Sequence, residues 1–394
     1  MPDESCVEAC ADLPLRGILV VDMSQFLAGP MASLKLADMG ARVIKVERPG
    51  SGDLARDLYL SDTDVKGINT LFHAVNRNKE SFAANLKSEQ DLGKLYKLLA
   101  RADVAIQNFR PGIIERLGLD YETIRKINPK IVYASVSGYG TAREWQKLPG
   151  QDLLAQAKSG LMWLTGDASQ PPVPMGLAVA DIMAGNSALQ GILSGLIRSL
   201  RQNKGALIEV SLLESVLDLQ FEVLTTHLND GGKAPRRSDV SNGHAYLSAP
   251  YGVYETQDGY IAIAMTRVDR LGSLIDSAEL RAFTNRSEWF TKRDEIKTIV
   301  AKKLKSGRTS RWIGIFIDAD VWACEVLDWP TLLSSTAFKE LDFVQKLDLD
   351  SAGSILTTRC PIRIDGQLSK CSVPAPTVGQ HTADIEDEFN LNAP

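Results

Sequence analysis

The sequence predicts an α/β protein in which a large domain on a doubly wound parallel sheet is followed by a smaller α+β domain. Three observations predict it. Short apolar runs bounded by turn residues alternate with segments apolar at helical spacing, the alternation that βαβ units produce. At 229–242 the chain turns polar and rich in Gly, Lys and Arg, the texture of a linker. Beyond it an Asp-Gly turn separates two alternating runs, which reads as an antiparallel hairpin.

Each element follows from its residues. Gly17–Met23 (GILVVDM) is a continuous apolar run, the pattern of a strand buried on both faces. The chain turns at Ala28-Gly29-Pro30 into a helix over Met31–Met39, stops at Gly40 and resumes as a strand over Arg42–Glu47. Gln90–Ala100 reads as helix, Val104–Gln107 as strand, Tyr121–Ile127 as helix and Ile131–Ser135 as strand. A long helix is expected over Ile182–Ser199, then a strand at Ala206–Val210 and a helix at Leu212–Leu228. Tyr251–Glu255 and Tyr260–Ala264 form the hairpin around Thr256–Gly259. The expected division is therefore 1–228 as a Rossmann-like large domain, 229–242 as linker, 243–335 as the small domain and 336–394 as a C-terminal segment. In open parallel sheets ligands bind beyond the carboxyl ends of the strands, which directs attention to the loops after Met23, Val46, Ile106 and Val136.

Composition narrows the function. The 394 residues are 44% apolar and 24% charged, enough for a large core and more than one domain. A formal net charge of −5 argues against nucleic acid as a partner, which calls for a concentrated basic surface. No apolar run approaches the roughly 20 residues that span a bilayer, and the first fifteen residues hold four acids and no basic segment, so no membrane partner and no export signal are expected. Five cysteines (Cys6, Cys10, Cys324, Cys360, Cys371) without CxxC spacing indicate neither a disulfide framework nor a zinc site, and a cytoplasmic location fits. GxGxxG, GxSxG, Walker and HExxH motifs are absent, and His73, His227, His244 and His381 lack metal-ligand spacing. They read as surface or packing residues, and no metal is expected.

The most informative stretch is Gly150–Met183. There an apolar, strand-like run, Met175–Ala180, ends at Asp181, where a long helix begins. Asp is a good N-cap, so capping alone accounts for Asp181 on spacing. An aspartate at a helix N-terminus also sits where backbone N–H groups can stabilise a developing oxyanion.

Taken together, VVDMSQFLAGP at 20–30, GARVIKVERPGSGD at 40–53, NRNKES at 76–81, NFRPG at 108–112, LGLDYETI at 117–124, NPKIVYASVSGYG at 128–140, GLAVADIMAG at 176–185 and PAPTVGQHT at 374–382 resemble the class III CoA transferases, the CaiB/BaiF family. Its members include formyl-CoA transferase and succinyl-CoA:glutarate CoA transferase. The resemblance spans nearly the whole chain after the leader. It implies that Asp181 is the nucleophile, with capping as a secondary role, and that acyl-CoA thioesters are substrates without a tightly bound cofactor. It further implies an interlocked homodimer whose final segment returns to the large domain.

Residue by residue, the resemblance implies coenzyme A contacts from Arg48, from Ala84, Asn85, Leu86 and Lys87 around the adenine, and from Asn108, Phe109, Arg110 and Arg116 around the pantetheine and phosphates. Cationic side chains converging on one cleft suit a polyanion; Arg110 or Lys87 taken singly also reads as part of a solvated face. The related racemases pair the same aspartate with a histidine thirty residues earlier. Here that position is Gln151, an amide with no proton to exchange, which disfavours a racemase or epimerase. Asp152 is a candidate supporting carboxylate and equally a helix-starting Asp. Formyl-CoA transferase carries a glutamine where this chain has Leu27, just before Ala28, and a glycine-rich lid where this chain reads NGHAYLSAPYG at 242–252. Formyl and oxalate are therefore poor expectations, and succinyl-CoA with a four- to six-carbon dicarboxylate is the expected pair. A non-catalytic acyl-CoA-binding protein is the remaining alternative.

Overall fold

The computed structural model describes residues 13–58, 63–65, 67–349, 353–370 and 373–393. The acidic leader and Cys6, Cys10 and Cys371 lie outside the described residues. Cys324 and Cys360 are free thiols.

One compact unit comprises the chain up to Ala155, Ala178–Val216 and the chain from Leu341 onward. Its six-stranded parallel sheet consists of β1 (Leu19–Asp22), β2 (Arg42–Glu47), β3 (Glu80–Ala83), β4 (Val104–Gln107), β5 (Val132–Ser137) and β6 (Ala206–Ser211), in the order β3-β2-β1-β4-β5-β6. Strand order reverses on either side of β1, the topological switch of a doubly wound sheet. Alternate residues serve opposite faces. Val21, Ile44, Phe82, Ala105 and Tyr133 meet the helices α2 (Glu89–Leu99) and α3 (Tyr121–Ile127) through Leu95, Leu98, Leu99 and Ile124. Val20, Val43, Val104, Ile106, Val132 and Ala134 face Leu36 of α1 (Ala28–Asp38) and Ile192 and Leu196 of α5 (Val179–Gln202). Each such fully buried aliphatic side chain contributes about 1.5–3 kcal/mol relative to exposure. The helix α2 starts where Ser88 accepts from the Asp91 N–H, and α3 where Asp120 accepts from the Thr123 N–H, which fixes the end of each helix at its polar residue.

The C-terminal segment packs on edge strand β3 of this unit. His381 Nδ1 accepts from Ser81 N at 3.1 Å and Thr382 Oγ1 from Ala83 N at 2.9 Å, so the edge does not present a free row of donors. Glu80 and Glu388 clamp Arg42 at 2.9 and 2.6 Å.

The second unit comprises Gln156–Leu177 and Leu217–Glu340. Its three-stranded antiparallel sheet contains the expected hairpin, Gly252–Glu255 paired with Tyr260–Ile263, plus Ala323–Glu325. Tyr254, Ile261, Val300, Trp312 and Phe316 lie in its core.

Four expectations are corrected. The segment 229–242 is not a free linker: buried Arg237 donates to the carbonyls of Thr165 and Pro171 at 2.6 and 3.2 Å. The segments 156–177 and 217–228 group with the second unit rather than the first. The run Leu212–Leu228 is two helices, Leu212–Leu219 and Phe221–Asn229, separated at Gln220. Finally, Met175–Ala178 is not a strand, and α5 begins at Val179.

Candidate active site

Every strand of a parallel sheet ends at the same edge, so the loops after β1, β2, β4, β5 and β6 converge. Between them, within the first unit, lies a cavity of about 830 Å³. Its lining includes Gln25–Ala28 after β1, Leu54 and Leu58 after β2, Asn108–Pro111 after β4, Ser137–Gly140 after β5 and Leu212 after β6. Gln151, Asp152 and Asp181 line it too.

The loop after β1 is held in a conformation that its residues would not adopt unaided. Phe26 has φ +64°, a region that is unusual for a bulky side chain. Two side chains pin the backbone around it. Asn108 accepts from Gln25 N at 2.8 Å and donates to Gln25 O at 2.7 Å, while Asp53 accepts from Phe26 N at 3.2 Å. Asp53 is in turn fixed by fully buried Lys45 at 2.7 Å. Lys45 also donates to Ser24 O at 2.9 Å.

Beneath this loop, buried Asp22 accepts from Ser24 and Ser33 and pairs with Lys79 at 3.2 Å. Burial pushes the Asp22 carboxyl up, but Lys79, Lys45 and the two hydroxyls outweigh it and hold the group at about 2. Burial pushes Lys79 down to about 8, with Asp22 opposing, so both members remain charged at neutral pH. A paired buried charge is costly to break, which makes this network a rigid floor for the loop.

The position of Asp152 is set by two glycines. A Cβ on Gly150 would lie 2.6 Å from the Gly138 Cα, and the reverse approach is equally close. The backbones after β5 and before Gln151 can touch only because neither residue has a side chain. Tyr139 adds a bond from its hydroxyl to Pro149 O at 3.1 Å.

Asp181 occupies the third position of α5, not the cap. The cap residue is Ala178, which offers no side-chain bond. Asp152, the first residue of α4 (Asp152–Lys158), supplies the missing acceptor from another element: its Oδ1 accepts from Ala180 N at 2.6 Å and from Asp181 N at 3.3 Å. The expected capping role thus belongs to Asp152. Half-buried Asp181 is left beside a like charge. Burial first, and the Asp152 charge second, push its carboxyl up to about 7.

Of the residues singled out from sequence, the cavity gathers Leu27, Ala28, Asn108, Phe109, Arg110, Gln151, Asp152 and Asp181. Arg48, Ala84, Asn85, Leu86, Lys87 and Arg116 do not line it. Arg48 directly follows β2 and Ala84 directly follows β3, so they share the sheet edge on which the cavity opens. Lys45, Asp53 and Lys79 were not singled out; a lysine inside the apolar strand RVIKVE was the available signal.

A half-buried carboxylate facing a cavity at the switch point of a doubly wound sheet defines a site for a ligand lying across the strand ends. The family model "CoA-transferase family III" matches residues 15–382, and the chain belongs to that family. It is 32% identical over 384 residues to succinyl-CoA:glutarate CoA-transferase of Mus musculus, covering 95% of this chain and 86% of that protein. It is 33% identical over 389 residues to acetyl-CoA:oxalate CoA-transferase of Acetobacter aceti, covering 95% and 96%. Among solved structures, a CaiB/BaiF family protein from Brucella suis superposes with a TM-score of 0.81 at 31% identity, covering 95% of this chain and 99% of that one. The chain is a CoA-transferase, and CoA thioesters are its substrates. No described helix is long and apolar enough to cross a membrane.

Proposed function

We propose that this enzyme moves coenzyme A from a donor acyl-CoA to a carboxylic acid through covalent intermediates on Asp181. The observation that carries the reading is the half-buried Asp181 carboxylate facing the cavity, with an amide, Gln151, thirty residues upstream of it on the same lining rather than a second proton carrier. An Asp181 oxygen attacks the thioester carbonyl, the C–S bond breaks, and a mixed anhydride and CoA thiolate result. The thiolate attacks Asp181 Cγ, releasing the donor acid and leaving an aspartyl thioester. The acceptor carboxylate then attacks Cγ, expelling thiolate, which takes the acceptor acyl group and restores the Asp181 carboxylate. No proton is gained or lost overall. The apolar lining from Leu27, Leu54, Leu58, Phe109 and Leu212 favours exclusion of water, which would hydrolyse each intermediate.

Arg110 at the cavity, with Arg48 and the segment Ala84, Asn85, Leu86 and Lys87 following strand ends of the same sheet, and with Arg116, is proposed to hold the nucleotide end of the coenzyme. Succinyl-CoA is the proposed donor and a four- to six-carbon dicarboxylate the acceptor, supported by relatives named for succinyl-CoA and glutarate and by Leu27. An interlocked homodimer is proposed on the same family resemblance; exposed Ile197 and Leu200 on α5 and Leu207 on β6 are apolar surface for it to cover. Free Cys324 and Cys360 suit a cytoplasmic location. The test is Asp181→Ala: exchange of label between free acid and acyl-CoA should cease while CoA binding persists. Near-normal turnover in that variant refutes the assignment.

A further inference from the structure

The first turn of α5 holds an arrangement that nucleophilic attack by Asp181 does not itself require. A helix leaves its first N–H groups without intrahelical partners, and in acyl-transfer sites such groups commonly receive an oxyanion. Here the Ala180 and Asp181 N–H groups are already taken, at 2.6 and 3.3 Å, by one oxygen of Asp152. These two donors are therefore not available to a tetrahedral intermediate while Asp152 is in place. The positive end of the helix is partly neutralised by the same carboxylate, so Asp181 receives less stabilisation from it than a first-turn aspartate ordinarily would.

We infer that Asp152 is a positioning residue for the nucleophile: it fixes the turn that presents Asp181 and holds a second carboxylate beside it. This rests on the reading of Asp181 as the nucleophile. Two independent geometries support it. Asp152 accepts from the backbone N–H groups of Ala180 and of Asp181 itself, and the Gly138–Gly150 contact fixes the approach of Asp152 to that turn.

The surrounding charges leave this role to Asp152. Among the described residues, Arg110 and Tyr139 are the other charged or titratable ones lining the cavity. Among the elements packed against α5, α1 carries Lys35 and Asp38 in its last turns, β5 carries Tyr133 and β6 carries Glu209. Among the described residues, Asp152 is the charged group whose field acts on Asp181, raising its pKa alongside the larger effect of burial. A carboxylate that binds its proton more tightly is also the stronger nucleophile, in line with Brønsted behaviour.

Three variants separate charge from position. Asp152→Asn keeps an oxygen able to accept from the two N–H groups but removes the charge; Asp152→Ala removes both; Asp152→Glu keeps the charge. Each is assayed for kcat and KM from pH 4.5 to 8.5. In parallel, labelling of Asp181 by a water-soluble carbodiimide, which reacts with protonated carboxyls, is followed against pH by peptide mass. For Asp152→Asn the expected result is an acid limb of kcat and a labelling midpoint both lower by a pH unit or more. Its kcat at pH 8 should fall about tenfold with KM for acyl-CoA within twofold. Asp152→Ala should lose more, and Asp152→Glu should recover part of the loss. Unchanged midpoints in Asp152→Asn overturn the inference, as does a loss confined to thermal stability in all three variants. Labelling reads the Asp181 proton whether or not Asp181 is the nucleophile. A shifted labelling midpoint in an enzyme whose Asp181→Ala variant still turns over would therefore leave the electrostatic coupling intact and refute the nucleophile assignment instead.

Discussion

Replacing Asp181 by Asn should make the protein more stable at alkaline pH while abolishing transfer. Lifting the carboxyl from 3.8 to about 7 corresponds to a penalty of at most about 4 kcal/mol for keeping it ionised in the fold. Between these two values the folded chain holds a proton that the unfolded chain releases, so stability falls as pH rises through the window. Above pH 7 the whole penalty is present, and below 3.8 it is absent. Asparagine is nearly isosteric and neutral throughout, and so escapes it. Thermal midpoints of the two proteins measured from pH 4 to 8.5 should nearly coincide at the acid end. They should separate progressively towards pH 8, with the variant the higher. Because Asp152 contributes to the penalty, the gain should shrink in an Asp152→Asn background. A gap independent of pH, or a variant less stable than the parent at pH 8, would refute the electrostatic reasoning.

Three further outcomes are expected. Gly150→Ala places a Cβ 2.6 Å from the Gly138 Cα, a backbone clash that no rotamer relieves, so it should cost about 1–3 kcal/mol and lower kcat by displacing Asp152; urea midpoints and kinetics check this. Asn108→Ala leaves the Gln25 N–H and C=O without partners, a loss of about 1–3 kcal/mol in the loop that holds Phe26. KM for acyl-CoA should rise and the loop should become sensitive to limited proteolysis. With Gln151 lining the cavity, turnover in heavy water should place no deuterium on the α-carbon of the acyl group, read by mass spectrometry of the product.

Much of the sheet was legible because its strands are continuous apolar runs. Arg42–Glu47 and Val104–Gln107 were assigned to the residue, and the expected loops at the strand ends do line the cavity. Strand β3 escaped because Glu80–Ala83 is short and half polar; it lies at an edge, where the C-terminal segment covers it. The start of α5 was misread for a related reason. Helix ends are recognised by a local capping residue, and here the cap comes from Asp152, twenty-eight and twenty-nine positions before the N–H groups it accepts from. The Arg237 segment looked like a linker because its composition is polar, while the carbonyls that bury it belong to Thr165 and Pro171. The same limit applies to the charges under the loop. Asp22, Lys45 and Lys79 are ordinary residues in sequence and become a fixed network only when three strands bring them together.

Covalent transfer through Asp181 is tested most directly by trapping. The enzyme is incubated with an acyl-CoA and hydroxylamine, digested, and the peptide containing Asp181 weighed. A hydroxamate at Asp181, formed only when acyl-CoA is present and absent from Asp181→Asn, is the predicted result. An unmodified Asp181 in enzyme that is turning over would contradict it.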